Sequence, residues 1–248
     1  MSLSPEELER YARHIVLSDV GGPGQQLLKK AKVLVIGAGG LGTPVLQYLA
    51  AAGVGTLGVV DDDVVSLSNL QRQIIHDTSR VGDKKVESAS EAVARINPNV
   101  NMEIFDCRLI EENAAGLIGK FDIIADGSDN FDTRFLVADT CKALEKTLVT
   151  GAVGRFDGSL TTIKPHQSDE NGQKYPEFRD IFPNKPPDGL LPTCAEAGVI
   201  GALTGVIGSM QALEIIKEIT GAGVGLAGRL VLYDSLYSRF EEIKYSPK

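Results

Sequence analysis

Apolar and polar positions along this chain fall into blocks whose period changes. The run VLVI at 33–36 is short, unbroken and β-branched, which suits a strand buried on both faces of a parallel sheet. The glycine-rich stretch after it passes into helical spacing over 41–52, and TLGVVD at 56–61 reads as the next strand, so the three form a βαβ unit. The same grammar continues with a helix over 85–96, a strand over 101–105, a short apolar strand over 121–125, a helix over 133–144 and the strand TLVTGA. Such alternation implies a parallel sheet covered by helices on both faces. After Gly151 the period shortens: GSLTTIK, and later RLVLYDSLYSRFEEIKY, predict antiparallel strands. The expected fold is α/β, a Rossmann-like, mostly parallel sheet with antiparallel strands added at one edge.

The flanks refine that picture. Ser4-Pro5-Glu6-Glu7 matches a capping box and predicts a helix from about 5 to 17, inside an N-terminal helical extension over about 1–30. Residues 166–192 are polar and proline-rich, and predict a long, mobile loop crossing the surface, with a crossover loop over about 166–194. The segment AGVIGALTGVIGSMQALEII is long and apolar enough to raise a membrane span, but Gln211 and Glu214 inside it and its small residues favour a buried helix. At 248 residues and 43% hydrophobic, the chain is expected to form one domain over 1–248. A net charge of -8 argues against a nucleic-acid partner. Three scattered cysteines without a CxxC, and a polar, acidic start, predict a cytoplasmic protein with no membrane contact.

The candidate chemistry begins at Gly37-Ala38-Gly39-Gly40-Leu41-Gly42, a tight strand-to-helix turn where backbone N–H groups can approach a phosphate. Asp61, at the end of the following strand, can accept hydrogen bonds from ribose hydroxyls. Taken alone this pair suggests a nicotinamide-dependent dehydrogenase. Asn69, Arg72, Gln73 and Lys85 follow, however, and cations converging there suit a triphosphate better than a pyrophosphate; their plainer reading is surface charge. Asp126 and Asp129, just after the strand FDIIA, stand where a carboxylate can bridge Mg2+ to phosphate, or else cap the helix near Phe131.

In order along the chain, RYARHIVL, GAGGLGTPVLQYLAAAGVGTL, DDDVVSLSNLQRQ, GDKKVESA, RINPNV, DGSDNFDTR, TCAEAGVIG and GSMQALEIIK strongly resemble the MoeB and ThiF group of adenylyltransferases, relatives of ubiquitin-activating enzymes. The resemblance implies ATP-dependent adenylation of the C-terminal Gly-Gly carboxylate of a small ubiquitin-like sulfur carrier. By position it implies that Gly37, Gly39, Gly40, Gly42, Asp61 and Asp63 hold the nucleotide and Arg72 and Lys85 the phosphates. It assigns Asn69 and Gln73 to support that cluster, Asp129 to Mg2+, and Arg13 to the neighbouring subunit's ATP in a homodimer.

Two positions depart from or complicate the pattern. Such proteins usually carry two CxxC pairs for a structural zinc; here EFRDIFP places Glu177 and Asp180 at the first pair and the chain ends YSPK, so no structural zinc is expected. Cys194 matches a cysteine that attacks the adenylate or joins a sulfur relay in some relatives; its plainer reading is a small buried residue at a helix start. Cys107 and Cys141 read as structural, and His14, His76 and His166 receive no role. The rival functions are a catalytically silent ATP-binding scaffold for such a carrier, and adenylation of another carboxylate on a peptide or modified tRNA.

Overall fold

The computed structural model describes residues 2–186 and 198–248. At its centre lies β1 (Lys32–Ile36), with every residue after Lys32 buried. β2 (Thr56–Val60) and β4 (Ile123–Asp126) flank it in parallel, and β3 (Asn101–Phe105) and β5 (Thr147–Gly154) extend the parallel part outward. Three antiparallel strands, β6 (Asp157–Ile163), β7 (Arg229–Asp234) and β8 (Arg239–Lys244), complete the order β3-β2-β1-β4-β5-β6-β7-β8. The chain runs leftward through β2 and β3, then returns to place β4 on the other side of β1. That reversal opens a crevice beyond the carboxyl ends of β1 and β4.

The pleat of β1 sorts two cores. Val33 and Val35 pack with Leu28 of α3 (Gly21–Lys30), Leu46 and Leu49 of α4 (Gly42–Ala52), Val86 of α5 (Lys85–Ile96) and Ile215 of the long C-terminal helix Gly201–Thr220. Leu34 and Ile36 face the opposite layer, where Ile118 of α6 (Glu111–Ile118) and Phe135 of α7 (Phe131–Ala143) meet Phe121 and Ile124. The apolar segment that raised a membrane span is therefore that buried C-terminal helix, packed on α4 and β5. No described helix is long and apolar enough to cross a membrane.

Three local expectations change. The helix predicted over 5–17 begins with the capping box at Ser4, but it is two helices, α1 (Pro5–Arg10) and α2 (Ala12–Ile15). The break falls at Tyr11, which turns inward so that its hydroxyl accepts from Asn97 Nδ2 at 2.8 Å; the same amide nitrogen donates to the Ala50 carbonyl. That contact explains why RYARH and RINPN stand together in the pattern: each fastens the N-terminal helices to the end of α4. The proline-rich stretch is also not all surface loop. Within it α8 (Phe178–Ile181) packs on α7, and the C-terminal helix Gly201–Thr220 follows as α9. Finally, α6 had no sequence reading; it is short and marked chiefly by Asn113, whose Oδ1 accepts from the Ile110 N–H.

Candidate functional site

The crevice is walled first by the turn between β1 and α4. Gly37 has φ +91°, a conformation that only glycine adopts without strain, and a Cβ on Gly42 would strike the Gly37 carbonyl. Ala38, between them, is held at both backbone groups: its N–H donates to Asp61 Oδ2 at 2.7 Å, and its carbonyl faces His76 Nε2 at 3.1 Å. Asp61 Oδ1 accepts the Asp63 N–H at 2.9 Å, so one carboxylate ties the glycine turn to the end of β2. His76 is buried, and its imidazole is held below the usual histidine range, first by burial and further by nearby Lys85, against the opposing pull of the Ala38 carbonyl, Asp61 and Asp77.

The second wall follows β4. Asp126, fully buried, accepts from Ser128 N at 3.0 Å, Ser128 Oγ at 2.6 Å and Thr150 Oγ1 at 2.9 Å. Its backbone carbonyl also accepts from Gln211 Nε2 of α9. This carboxylate is thus committed to shaping the DGS turn, which corrects its reading as a cation ligand. The cap of α7 is Asn130, whose Oδ1 accepts from Thr133 N at 2.9 Å, and not Asp129. Asp129 is exposed, and its carboxylate has no hydrogen bond or ion pair among the described residues.

Between the walls lies a cleft of about 370 Å³ lined by Gly37, Gly39, Gly40, Asp61, Asp63, Asn69, Arg72, Gln73, Lys85 and Asp129. Residues far apart in sequence therefore line one cleft. Lys85 is almost wholly buried, at 6% side-chain exposure, and its Nζ pairs with the exposed Asp63 at 2.8 Å. Arg72 donates to the Ser68 carbonyl at 3.3 Å, Asn69 Oδ1 accepts the Ser66 N–H, and the buried Gln73 has an unpartnered Oε1. Asp61, Asp62 and Asp63 bring carboxylate oxygens within 4.8 Å of one another on the same rim. Arg13 is exposed on α2 and does not line the cleft; Cys194 lies outside the described residues.

Other cleft residues were not assigned to the site by the sequence reading, which took Cys107 as structural. Arg134 closes the DGSDNFDTR motif and donates to the Ser128 carbonyl at 2.7 Å, so its motif membership was the available signal. Cys107 also lines the cleft, with its thiol pushed up by burial and then by Asp106 and Asp62. A second, more apolar cavity of about 480 Å³ shares Asp129, Arg134 and Val153 with the first and runs over β5 and β6 to Phe178 and Phe182. The floor there is aromatic: Phe178 meets Phe135 with ring centroids 5.2 Å apart, and Phe182 meets Phe131 at 5.9 Å.

A model of the ThiF family matches residues 11–248. The Mycobacterium tuberculosis protein named probable adenylyltransferase/sulfurtransferase MoeZ is 47% identical over 242 residues, which cover 98% of this chain and 61% of that protein. The chain thus spans about three fifths of that relative's length. The Thermus thermophilus protein named sulfur carrier protein adenylyltransferase is 46% identical over 243 residues, 98% of this chain and 89% of the relative. Among solved structures, PaaA is 25% identical with a TM-score of 0.81, covering 98% of this chain and 75% of PaaA. Escherichia coli MccB crystallised with ATP is 18% identical, has a TM-score of 0.81, covers 96% and 72% of the two chains, and shares the fold.

Proposed function

The chain belongs to the ThiF family, and from that premise we propose that it uses ATP to adenylate the C-terminal carboxylate of a small ubiquitin-like sulfur carrier ending in Gly-Gly. One observation carries the reading: the cleft that gathers the glycine turn, Asp61, Arg72, Lys85 and Asp129 adjoins a more apolar cavity with which it shares Asp129, Arg134 and Val153. A nucleotide in the first and an extended peptide tail in the second would meet at that junction. The name of the Thermus relative, which this chain covers to 89%, supports the same substrate class.

The carboxylate is already ionised near neutral pH, so no general base is required. Its oxygen attacks the α-phosphorus, the bond to the bridging oxygen of the β-phosphate breaks, and the electron pair leaves with pyrophosphate. The difficulty is bringing one anion onto another, and catalysis comes from neutralising charge and fixing in-line geometry. Asp61 holds the ribose; Arg72 and Lys85 face the phosphates; Arg134 lies where the two cavities join. Asp129 has a hard oxygen donor whose carboxylate is unpaired among the described residues, which suits Mg2+; when bound, the ion would neutralise phosphate charge. Arg13, exposed on α2, completes the site of the second subunit in a homodimer, and one domain over 1–248 does the chemistry.

A structural zinc has no place in this reading. Asp180 Oδ2 accepts the Glu177 N–H at 2.8 Å and its Oδ1 accepts the Lys248 N–H at 3.0 Å, while Glu177 pairs with Lys142. Such carboxylates do not form a closed thiolate site. The deciding experiment is pyrophosphate exchange into ATP with Gly-Gly-terminated β-grasp proteins added singly. Carrier-dependent exchange that disappears in Asp129→Ala is expected; ATP binding without exchange for any carrier would favour the scaffold reading.

A further inference from the structure

We infer that His76 is a positioning residue of the nucleotide turn, a neutral imidazole with its proton on Nε2 that holds the Ala38 carbonyl and so sets the course of the backbone the phosphates would meet. The tautomer follows from the partners. A backbone carbonyl can only accept, so the Nε2 that stands 3.1 Å from Ala38 O carries a hydrogen. Nδ1 stands 2.8 Å from Ser88 Oγ on α5, and a hydroxyl can donate to it. The ring is 6% exposed and shares its surroundings with the cation of Lys85 and the carboxylates of Asp61 and Asp77.

Asp61 and His76 act on consecutive peptide units. Asp61 takes the hydrogen of the unit before Ala38, and His76 takes the oxygen of the unit after it. The second unit carries the Gly39 N–H, whose direction is therefore fixed from below by an imidazole that does not line the cleft. Gly39 and Gly40 have no side chain to anchor them; backbone bonds from Gly37 N–H to Val60 O and from Thr43 N–H to Gly39 O hold the ends of the turn, and His76 is the side chain that holds the Ala38 carbonyl between them. The role in ATP binding rests on the functional reading above; the hold on the turn does not.

Two variants separate position from packing. His76→Leu fills much of the space without a donor, whereas His76→Gln offers a side-chain N–H that can reach the same carbonyl. In the free protein, hydrogen exchange of the Ala38 amide should accelerate in His76→Leu and stay near wild type in His76→Gln, and nitrogen NMR of the wild type should show the Nε2–H form. With ATP, Kd should rise roughly tenfold or more in the leucine variant and change little in the glutamine one, the scale of one buried hydrogen bond. Equal exchange in both variants, or an Nδ1–H tautomer, would overturn the inference. If wild-type protein binds no ATP, the nucleotide reading fails, while the exchange comparison still decides what His76 holds.

Discussion

Asp61 must serve two partners at once. Each of its oxygens already accepts one backbone N–H, from Ala38 and from Asp63, and each keeps a second lone pair that a ribose hydroxyl can use. Asp61→Asn turns one oxygen into an NH2 that faces a backbone donor, so it should both loosen the glycine turn and weaken ATP, with at least about a tenfold rise in Kd by calorimetry. Lys85 predicts the opposite split. Its partner Asp63 is exposed and needs no counter-charge, so Lys85→Met should slow adenylation by about a hundred- to a thousandfold while leaving Tm nearly unchanged. The acid and the lysine were readable because each stands at a fixed place in a motif. His76 was not, because its partners are a backbone carbonyl and a serine brought close only by folding. Its protonation gives a signed test: the folded pKa lies below the ordinary 6.5, so its contribution to stability is present above pH 6.5 and is lost as pH falls below that value. The Tm advantage of wild type over His76→Gln should shrink between about pH 7.5 and pH 5.5.

Elements were legible where period and length agreed. The buried run of β1 and the helix α5 stand within a residue or two of their sequence readings, since a core face leaves its period in the chain, and the less buried antiparallel β7 and β8 were marked as two strands around a turn. The break at Tyr11 and the helix α8 left no such trace. One depends on a tyrosine reaching Asn97, far away in sequence, and the other is a four-residue turn among prolines. Yet α8 is where this chain differs from the zinc-bearing pattern that it resembles. Phe178 is 4% exposed in a cluster with Phe135 and Phe182, Arg179 forms a two-bond pair with Asp139, and the C-terminus returns to Asp180. Packing and hydrogen bonding here join the segment after β6 to residues 245–248. Phe178→Ala should therefore cost about 3–5 kcal/mol in denaturant unfolding. A chelator should leave the wild-type Tm where it was, and a fall in Tm on chelation would return a metal to this segment.

At the scale of the whole molecule, the part proposed for Arg13 is one played in a second copy. Tyr11 is drawn inward to Asn97 and His14 Nδ1 meets Gln25 Oε1, so the turn of chain bearing Arg13 is braced on both sides while Arg13 itself is exposed and absent from its own cleft. An arginine held that firmly, yet away from its own cleft, is placed to meet a neighbour, and mixing two variants tests this. Arg13→Ala and Asp129→Ala should each be nearly inactive alone. If the sites are shared across a two-fold dimer, subunit exchange between the two variants yields mixed dimers with one complete site, Asp129 from one chain and Arg13 from the other. Equal mixing makes half the dimers mixed and half their sites complete, so activity should return to about a quarter of wild type. Recovery that appears only after exchange, at that level, requires a contribution in trans. No recovery, with both variants folded and subunit exchange demonstrated, would confine each active site to one chain and remove the in-trans part of Arg13.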